Sequence, residues 1–312
     1  MDSAFIPPMM KRTRRWFTQI SLGVAATVAI SACGGSSDKT VSVGSKNYTE
    51  QLIVGEMYAL ILEENGFNVE REFNLGGTLV VQAAIESGEI DLYPEYTGTG
   101  LLIVLKLPSS SDWEAVYDTV REAYQEQFDL AWLDPSPMNN TQALAMTEEK
   151  ADELNIRTIS DFAAQASDLV LIGPPEFEVR EDGLPGLWET YGNFNLQEYQ
   201  AVDPSFRYPE LLDGEADVAV AFGTDGEISA YNLVILEDDQ NLFPPYQLAP
   251  VVSQAALDRN PGIADALNQL SPLLNDGVMR QLNYEVSGNG RQPAEVAQEF
   301  LVNSGLIAED IP

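Results

Sequence analysis

Ile85-Glu86-Ser87-Gly88-Glu89-Ile90-Asp91-Leu92-Tyr93 returns later in the chain as Leu211-Leu212-Asp213-Gly214-Glu215-Ala216-Asp217-Val218-Ala219. In both copies a helical stretch stops at glycine, a Gly-Glu-x-Asp turn follows, and a short apolar strand runs out. Beyond the two strands lie Thr97-Gly98-Thr99-Gly100 and Gly223-Thr224-Asp225-Gly226, read as loops. Ligands of α/β sheets bind outside the carboxyl ends of their strands. The repeat therefore predicts two similar α/β lobes, each contributing a strand-end loop to one cleft.

The surrounding segments alternate in the same manner. Val41-Ser42-Val43 reads as a first strand, closed by Gly44-Ser45-Lys46. A helix over 48–64 follows, with Asn47 as its N-cap and Glu50 at capping-box spacing. A strand is expected over 67–73, a helix from Gly76-Gly77-Thr78 to Gly88, and a short buried strand over 90–93. Further on come a helix over 113–128 and strands over 169–172, 218–222 and 233–236. The tail, 261–306, reads mostly as helices.

Charge narrows the partners. The chain has 49 acidic against 16 basic residues, net −33. Nucleic acid and anionic membrane surfaces are repelled at long range by such a surface. Apolar residues make up 45% and aromatics 9%, which is a core-forming composition and not a disordered acidic tail. No histidine is present, so a Ser-His-Asp or Cys-His centre is excluded. No regular metal-ligand spacing appears, and no cofactor is implied.

The one cysteine, Cys33, sits where a lipid would be attached. Lys11, Arg12, Arg14 and Arg15 precede an apolar stretch, 20–30, that is too short to span a bilayer. Ile30-Ser31-Ala32-Cys33 and the flexible 34–37 complete the pattern of an export signal, 1–32, and a lipidated Cys on a tether, 33–38. Removal of 1–32 takes away four basic residues and one acid, leaving a net charge of −36. A lone Cys allows no disulfide within the chain, so stability must come from apolar burial, for which about 280 residues suffice.

Several short motifs, taken together and in order, carry a family resemblance: Gly44-Ser45-Lys46-Asn47-Tyr48-Thr49-Glu50-Gln51, Gly76-Gly77-Thr78, Asp91-Leu92-Tyr93-Pro94-Glu95-Tyr96-Thr97-Gly98-Thr99, 180–187 and Thr224-Asp225-Gly226. From about Thr40 to Leu306 the chain resembles the substrate-binding lipoprotein of an osmoprotectant ABC importer, of the glycine betaine/choline (quaternary-amine) group. The resemblance implies a type II periplasmic-binding-protein fold without catalysis. One lobe would comprise 39–138 plus 242–312 and the other 139–241, around a hinge. It also implies a monomer outside the cytoplasm, held to the membrane by lipid. Such a protein hands a small zwitterionic or cationic osmolyte to a permease driven by a cytoplasmic ATPase.

A quaternary ammonium has no N–H donor, so aromatic faces must hold it, at about 0.5–2 kcal/mol per ring. The family's cage positions fall on Tyr96, Tyr208 and Tyr231. Its carboxylate-holding positions fall on Lys46, Thr99 and Arg180; an arginine can clamp a carboxylate with two parallel bonds. One departure stands out in Asn139-Asn140-Thr141-Gln142. After Asn140-Thr141 the family has an aromatic, usually Tyr, where this chain has Gln142. The cage is then open on one side, which leaves a betaine-class ligand, a substitute aromatic or a more polar solute as alternatives. An exported carboxylate-based hydrolase is a further, weaker alternative, since no pair of acids stands out from the general excess. So is a receptor domain, although a lipid-anchored chain lacks a helix through which to signal alone.

Overall fold

The computed structural model describes residues 39–309; Cys33, the expected signal 1–32 and the tether 33–38 lie outside the described residues. Two five-stranded sheets form, each backed by helices. Strands β1 (Thr40–Gly44), β2 (Asn68–Glu72), β3 (Leu92–Tyr96) and β4 (Leu130–Trp132) begin the first. The second takes β5 (Gln142–Thr147), β6 (Val170–Gly173), β7 (Glu198–Ala201), β8 (Val218–Phe222) and β9 (Leu233–Ile235). β10 (Leu248–Ser253) then returns to the first. The sheet orders are β2-β1-β3-β10-β4 and β7-β6-β8-β5-β9.

These orders are the same arrangement twice. β1 runs parallel to β2 and β3, as β6 does to β7 and β8. β10 lies antiparallel between β3 and β4, as β5 does between β8 and β9. The repeated motif supplies corresponding corners. Gly88 and Gly214 both cap their helices in the left-handed region, at φ 77° and 80°, which favours glycine. Asp91 and Asp217 each accept a backbone N–H from the neighbouring parallel strand, from Ser42 at 3.0 Å and Val170 at 2.9 Å. The α/β class and the two-lobed architecture expected from the sequence are both present.

The central strands read as nearly continuous apolar runs because helices cover both faces. Alternation decides which residue goes where. In β10, Leu248 and Val252 join one core cluster while Ala249 and Val251 join the other. In β5, Leu144 and Met146 join one core cluster, and Ala143 and Ala145 join another, with Ala219 and Ala221 and the larger Ile172, Tyr208 and Leu211.

Three local expectations fail. The third strand spans Leu92–Tyr96, later than 90–93. Pro94 lies inside this strand and stands opposite Pro250, whose carbonyl faces β4 and accepts from Leu133 N–H. At that pair the β3–β10 ladder needs no N–H from either proline. The stretch Thr97-Gly98-Thr99-Gly100 is a helical turn, Thr97–Thr99, running into a π-helix, Gly100–Val104, and not a loop. Gly98 lets that turn lie against Tyr246, where a Cβ would meet the ring at 2.8 Å. The helix α1 (Thr49–Glu64) has Tyr48 as its N-cap with no side-chain cap bond, so the Asn47–Glu50 capping box does not form.

Candidate functional site

Between the sheets lies a cavity of about 690 Å³, within the range of about 300–1,000 Å³ usual for small-molecule sites. All eight ligand-site residues expected from the sequence line it: Lys46, Tyr96, Thr99, Asn140, Gln142, Arg180, Tyr208 and Tyr231. Strand ends place them. Lys46 follows β1, Tyr96 is the last residue of β3, and Gln142 opens β5.

Each buried cation here already has an acid. Lys46 Nζ lies 2.6 Å from Glu95 Oε1, both fully buried, and 5.3 Å from the centre of the Tyr96 ring. Arg180 closes its fork on Asp182, with Nε to Oδ1 at 2.7 Å and Nη2 to Oδ2 at 2.5 Å. Its third nitrogen faces Glu176 Oε1 at 3.6 Å. Arg180 is therefore neither a surface pair nor a free clamp. Its guanidinium stays charged well above the usual range: burial works against it, and Asp182 outweighs that cost. Thr99 is buried, and its hydroxyl makes no hydrogen bond among the described residues.

The tyrosines divide. Tyr96 is buried and donates to Glu50 Oε1 at 2.8 Å. Tyr208 is buried and donates to Asp225 Oδ2 at 2.6 Å. Burial and the adjacent carboxylates push both phenols far above their usual pKa. Tyr231 is different: it is 43% exposed at the rim, edge-on to Tyr284 at 6.5 Å. Gln142 does not leave an empty wall. Its amide donates to the Asp182 carbonyl and to the Tyr246 hydroxyl, both at 3.2 Å, while Tyr246 donates to Asp182 Oδ2 at 2.5 Å. The two segments that cross between the sheets, from β4 to β5 and from β9 to β10, are further joined by Asn140 N–H to Tyr246 O and Tyr246 N–H to Asn139 Oδ1.

Sequence reading missed the centre of the site. Glu50 turns inward from the first turn of α1 and accepts from four donors: Tyr96, Asn140, Thr224 and Asn283. Thr224 follows β8 of the second sheet, so this carboxylate ties the lobes together. Burial pushes its pKa up; Thr224, Asn283 and Tyr96 pull it back, and Asp225 adds to the rise. The net direction is upward. A second inter-lobe bond joins Tyr48 to Glu176 across the mouth. Arg207 was missed too. It is buried, with its guanidinium 5.0 Å from the Tyr208 ring centre and 4.9 Å from that of Phe222. A rare basic residue next to a cage-type tyrosine was the available signal.

Among the described residues no group of three or more His, Cys, Asp or Glu could hold a metal, and no helix is long and apolar enough to cross a membrane. A strand-end cleft lined by aromatics and paired charges, and closed by contacts between lobes, is built to enclose a small charged solute.

Known proteins agree with that geometry. Residues 39–303 match the substrate-binding domain of ABC-type glycine betaine transport systems, OpuAC. A glycine-betaine-binding protein of Pseudomonas aeruginosa is 34% identical over 90% of this chain and 93% of its own length. The ergothioneine transport permease/ergothioneine binding protein EgtU of Helicobacter pylori is 31% identical over 95% of this chain. The chain spans only 54% of EgtU's length. A crystal structure of a glycine betaine/carnitine/choline ABC transporter protein superposes with TM-score 0.70 at 29% identity, covering 85% of this chain and 99% of that one. Proteins of this family are the extracytoplasmic solute-binding components of ABC importers. The chain belongs to the family of substrate-binding domains of ABC-type glycine betaine transport systems.

Proposed function

We propose that the chain captures a quaternary-amine osmoprotectant of the glycine betaine/choline class and delivers it to an ABC permease. In this reading one lobe is 39–138 plus 242–312 and the other is 139–241. A bound ligand would add contacts to both lobes beyond the Glu50–Thr224 and Tyr48–Glu176 bonds, and so favour the closed state. The observation that carries the reading is the cleft's pairing of aromatic faces with excess acid. Tyr48, Tyr96, Tyr208, Phe222, Tyr231 and Tyr246 line it, and Glu50, Glu176, Asp225 and Glu227 lie among them. Rings attract a diffuse cation that cannot donate hydrogen bonds. Lys46, Thr99 and Arg180 would take the carboxylate of a betaine; Lys46 and Arg180 would then share their charge with Glu95 and Asp182, while the Thr99 hydroxyl has no partner among the described residues.

The protein would act as a monomer, without cofactor and without catalysis. Glu50, Glu95, Asp182 and Asp225 each hold donors or a cation, which leaves none of them as a free general base. The basic, apolar and Cys33 pattern of the sequence supports export and lipid anchoring; incorporation of labelled palmitate, abolished by Cys33→Ala, checks the anchor. Calorimetric titration with glycine betaine, choline, carnitine and proline betaine tests the ligand class. Saturable binding of at least one is expected, and silence for all four would sink the reading.

A further inference from the structure

A second groove opens beside the cavity, with a volume of about 460 Å³. Leu79, Val80 and Ile103 form its wall on the side of the first sheet, and Pro174, Pro175 and Val179 on the side of the second. Val179 at 75% and Leu79 at 65% are the two most exposed large apolar side chains among the described residues, one on each wall. Apolar exposure gathered at one place marks a binding surface. The groove's charges cancel, Lys106 and Arg180 being matched in number by Glu176 and Glu181. On a chain of net charge −33 that balance sets the groove apart and suits an uncharged occupant.

The groove is continuous with the cavity. Tyr48, Thr78, Glu176 and Arg180 line both, and the Tyr48–Glu176 contact stands at that junction. Arg180 has a donor to spare there. Asp182 holds its Nε and Nη2, while Nη1 stands 3.6 Å from Glu176 and makes no hydrogen bond among the described residues. All five N–H groups of a guanidinium seek acceptors, and a carbonyl oxygen at the junction would supply one. The quaternary ammonium would then lie in the cavity, and an apolar chain would run out between Leu79 and Val179 once the Tyr48–Glu176 contact opens. Continuity with the cavity favours a part of the solute itself over a docked protein.

We propose that this groove is a second subsite, and that it takes the acyl chain of an O-acyl ester of a quaternary-amine alcohol. This rests on the quaternary-amine reading of the cleft and extends it beyond small osmolytes. Acetyl-, butyryl-, hexanoyl- and octanoylcholine share one head and one ester and differ only in chain length. A methylene fully withdrawn from water tightens binding about fourfold, and one half-covered in an open groove about twofold. Calorimetry on the wild-type protein is therefore expected to show affinity rising along the series, with octanoylcholine at least tenfold tighter than acetylcholine. The double variant Leu79→Ser, Val179→Ser changes two exposed side chains outside the cavity. It should weaken octanoylcholine about fivefold and acetylcholine less than twofold. Equal affinity across the wild-type series would leave the groove to a protein partner and overturn the proposal. So would a gain with chain length that survives intact in the variant, or an equal loss for every ester. If the variant does not fold, the wild-type series decides. Short quaternary amines that bind without any gain from the chain would sink this proposal alone; silence for every quaternary amine would sink the functional reading and the proposal with it.

Discussion

Glu50→Ala removes the acceptor shared by four donors from four parts of the chain. Tyr96 ends β3, Asn140 lies in the crossing segment before β5, Thr224 follows β8, and Asn283 sits in the helix Asp276–Ser287. The Tyr96 and Thr224 hydroxyls can rotate toward other partners. Asn283 keeps one bond, from Nδ2 to the Thr224 carbonyl at 2.9 Å. Two or so donors are therefore stranded, at about 1.5–3 kcal/mol each for bonds to a charged acceptor. Release of a desolvated charge offsets part of that, so the expected loss is about 3–5 kcal/mol.

Glu50→Gln is the informative partner. Its oxygen can face Thr224 and Asn283, the pair pinned by the Thr224 carbonyl. Its NH2 then faces the Tyr96 hydroxyl, which can accept, and Asn140, whose Oδ1 has no partner and can be turned inward. A loss of about 1 kcal/mol follows, the size of one ordinary hydrogen bond. Urea unfolding of both variants at neutral pH measures the difference. Equal losses for alanine and glutamine, or a loss below about 1 kcal/mol for alanine, would refute the four-donor account.

Two further outcomes follow from the same cleft. Burial raises the folded-state pKa of Glu50 above its unfolded value, so its titration contributes stability that is fully present below the ordinary carboxylate pKa and lost as pH rises through the raised one. The stability margin of wild type over Glu50→Gln should thus narrow from acid toward neutral pH; a widening margin in urea titrations would reverse the assignment. Arg180→Ala leaves Asp182, 1% exposed, with Tyr246 as its only side-chain donor among the described residues, at a cost of about 3–5 kcal/mol. Adding Asp182→Asn should restore a substantial part of the melting temperature, and strictly additive losses would argue against the pair.

How much of this could be read beforehand depended on how local the determinants were. The paired helix–glycine–strand units, and with them two like sheets, were legible because a left-handed glycine and a following apolar run are short-range signals. Glu50 was misread as half of a capping box for the opposite reason. Its spacing from Asn47 fits the local rule, but its four partners come from distant parts of the chain. Three residues of β3, Pro94, Glu95 and Tyr96, fell outside the expected strand, because the tolerance of Pro94 depends on Pro250, which sequence spacing cannot pair with it. Gln142 was legible as a departure from the family pattern, yet its attachment to Tyr246 and Asp182 was not. Arg207 escaped notice because nothing in Phe206-Arg207-Tyr208-Pro209 reveals the second ring, Phe222, beneath it.

The late return of β10 has a consequence for how the chain acquires its shape. Among the described residues β4 has no neighbour in its sheet except β10, which emerges only after the entire second sheet. Until then β3 and β4 present open edges, a state prone to mispairing. The second sheet draws all five strands from one uninterrupted run and can assemble first. The first lobe would therefore be the last to close, and a chain cut after β9 would leave it unfinished, however intact its own first four strands.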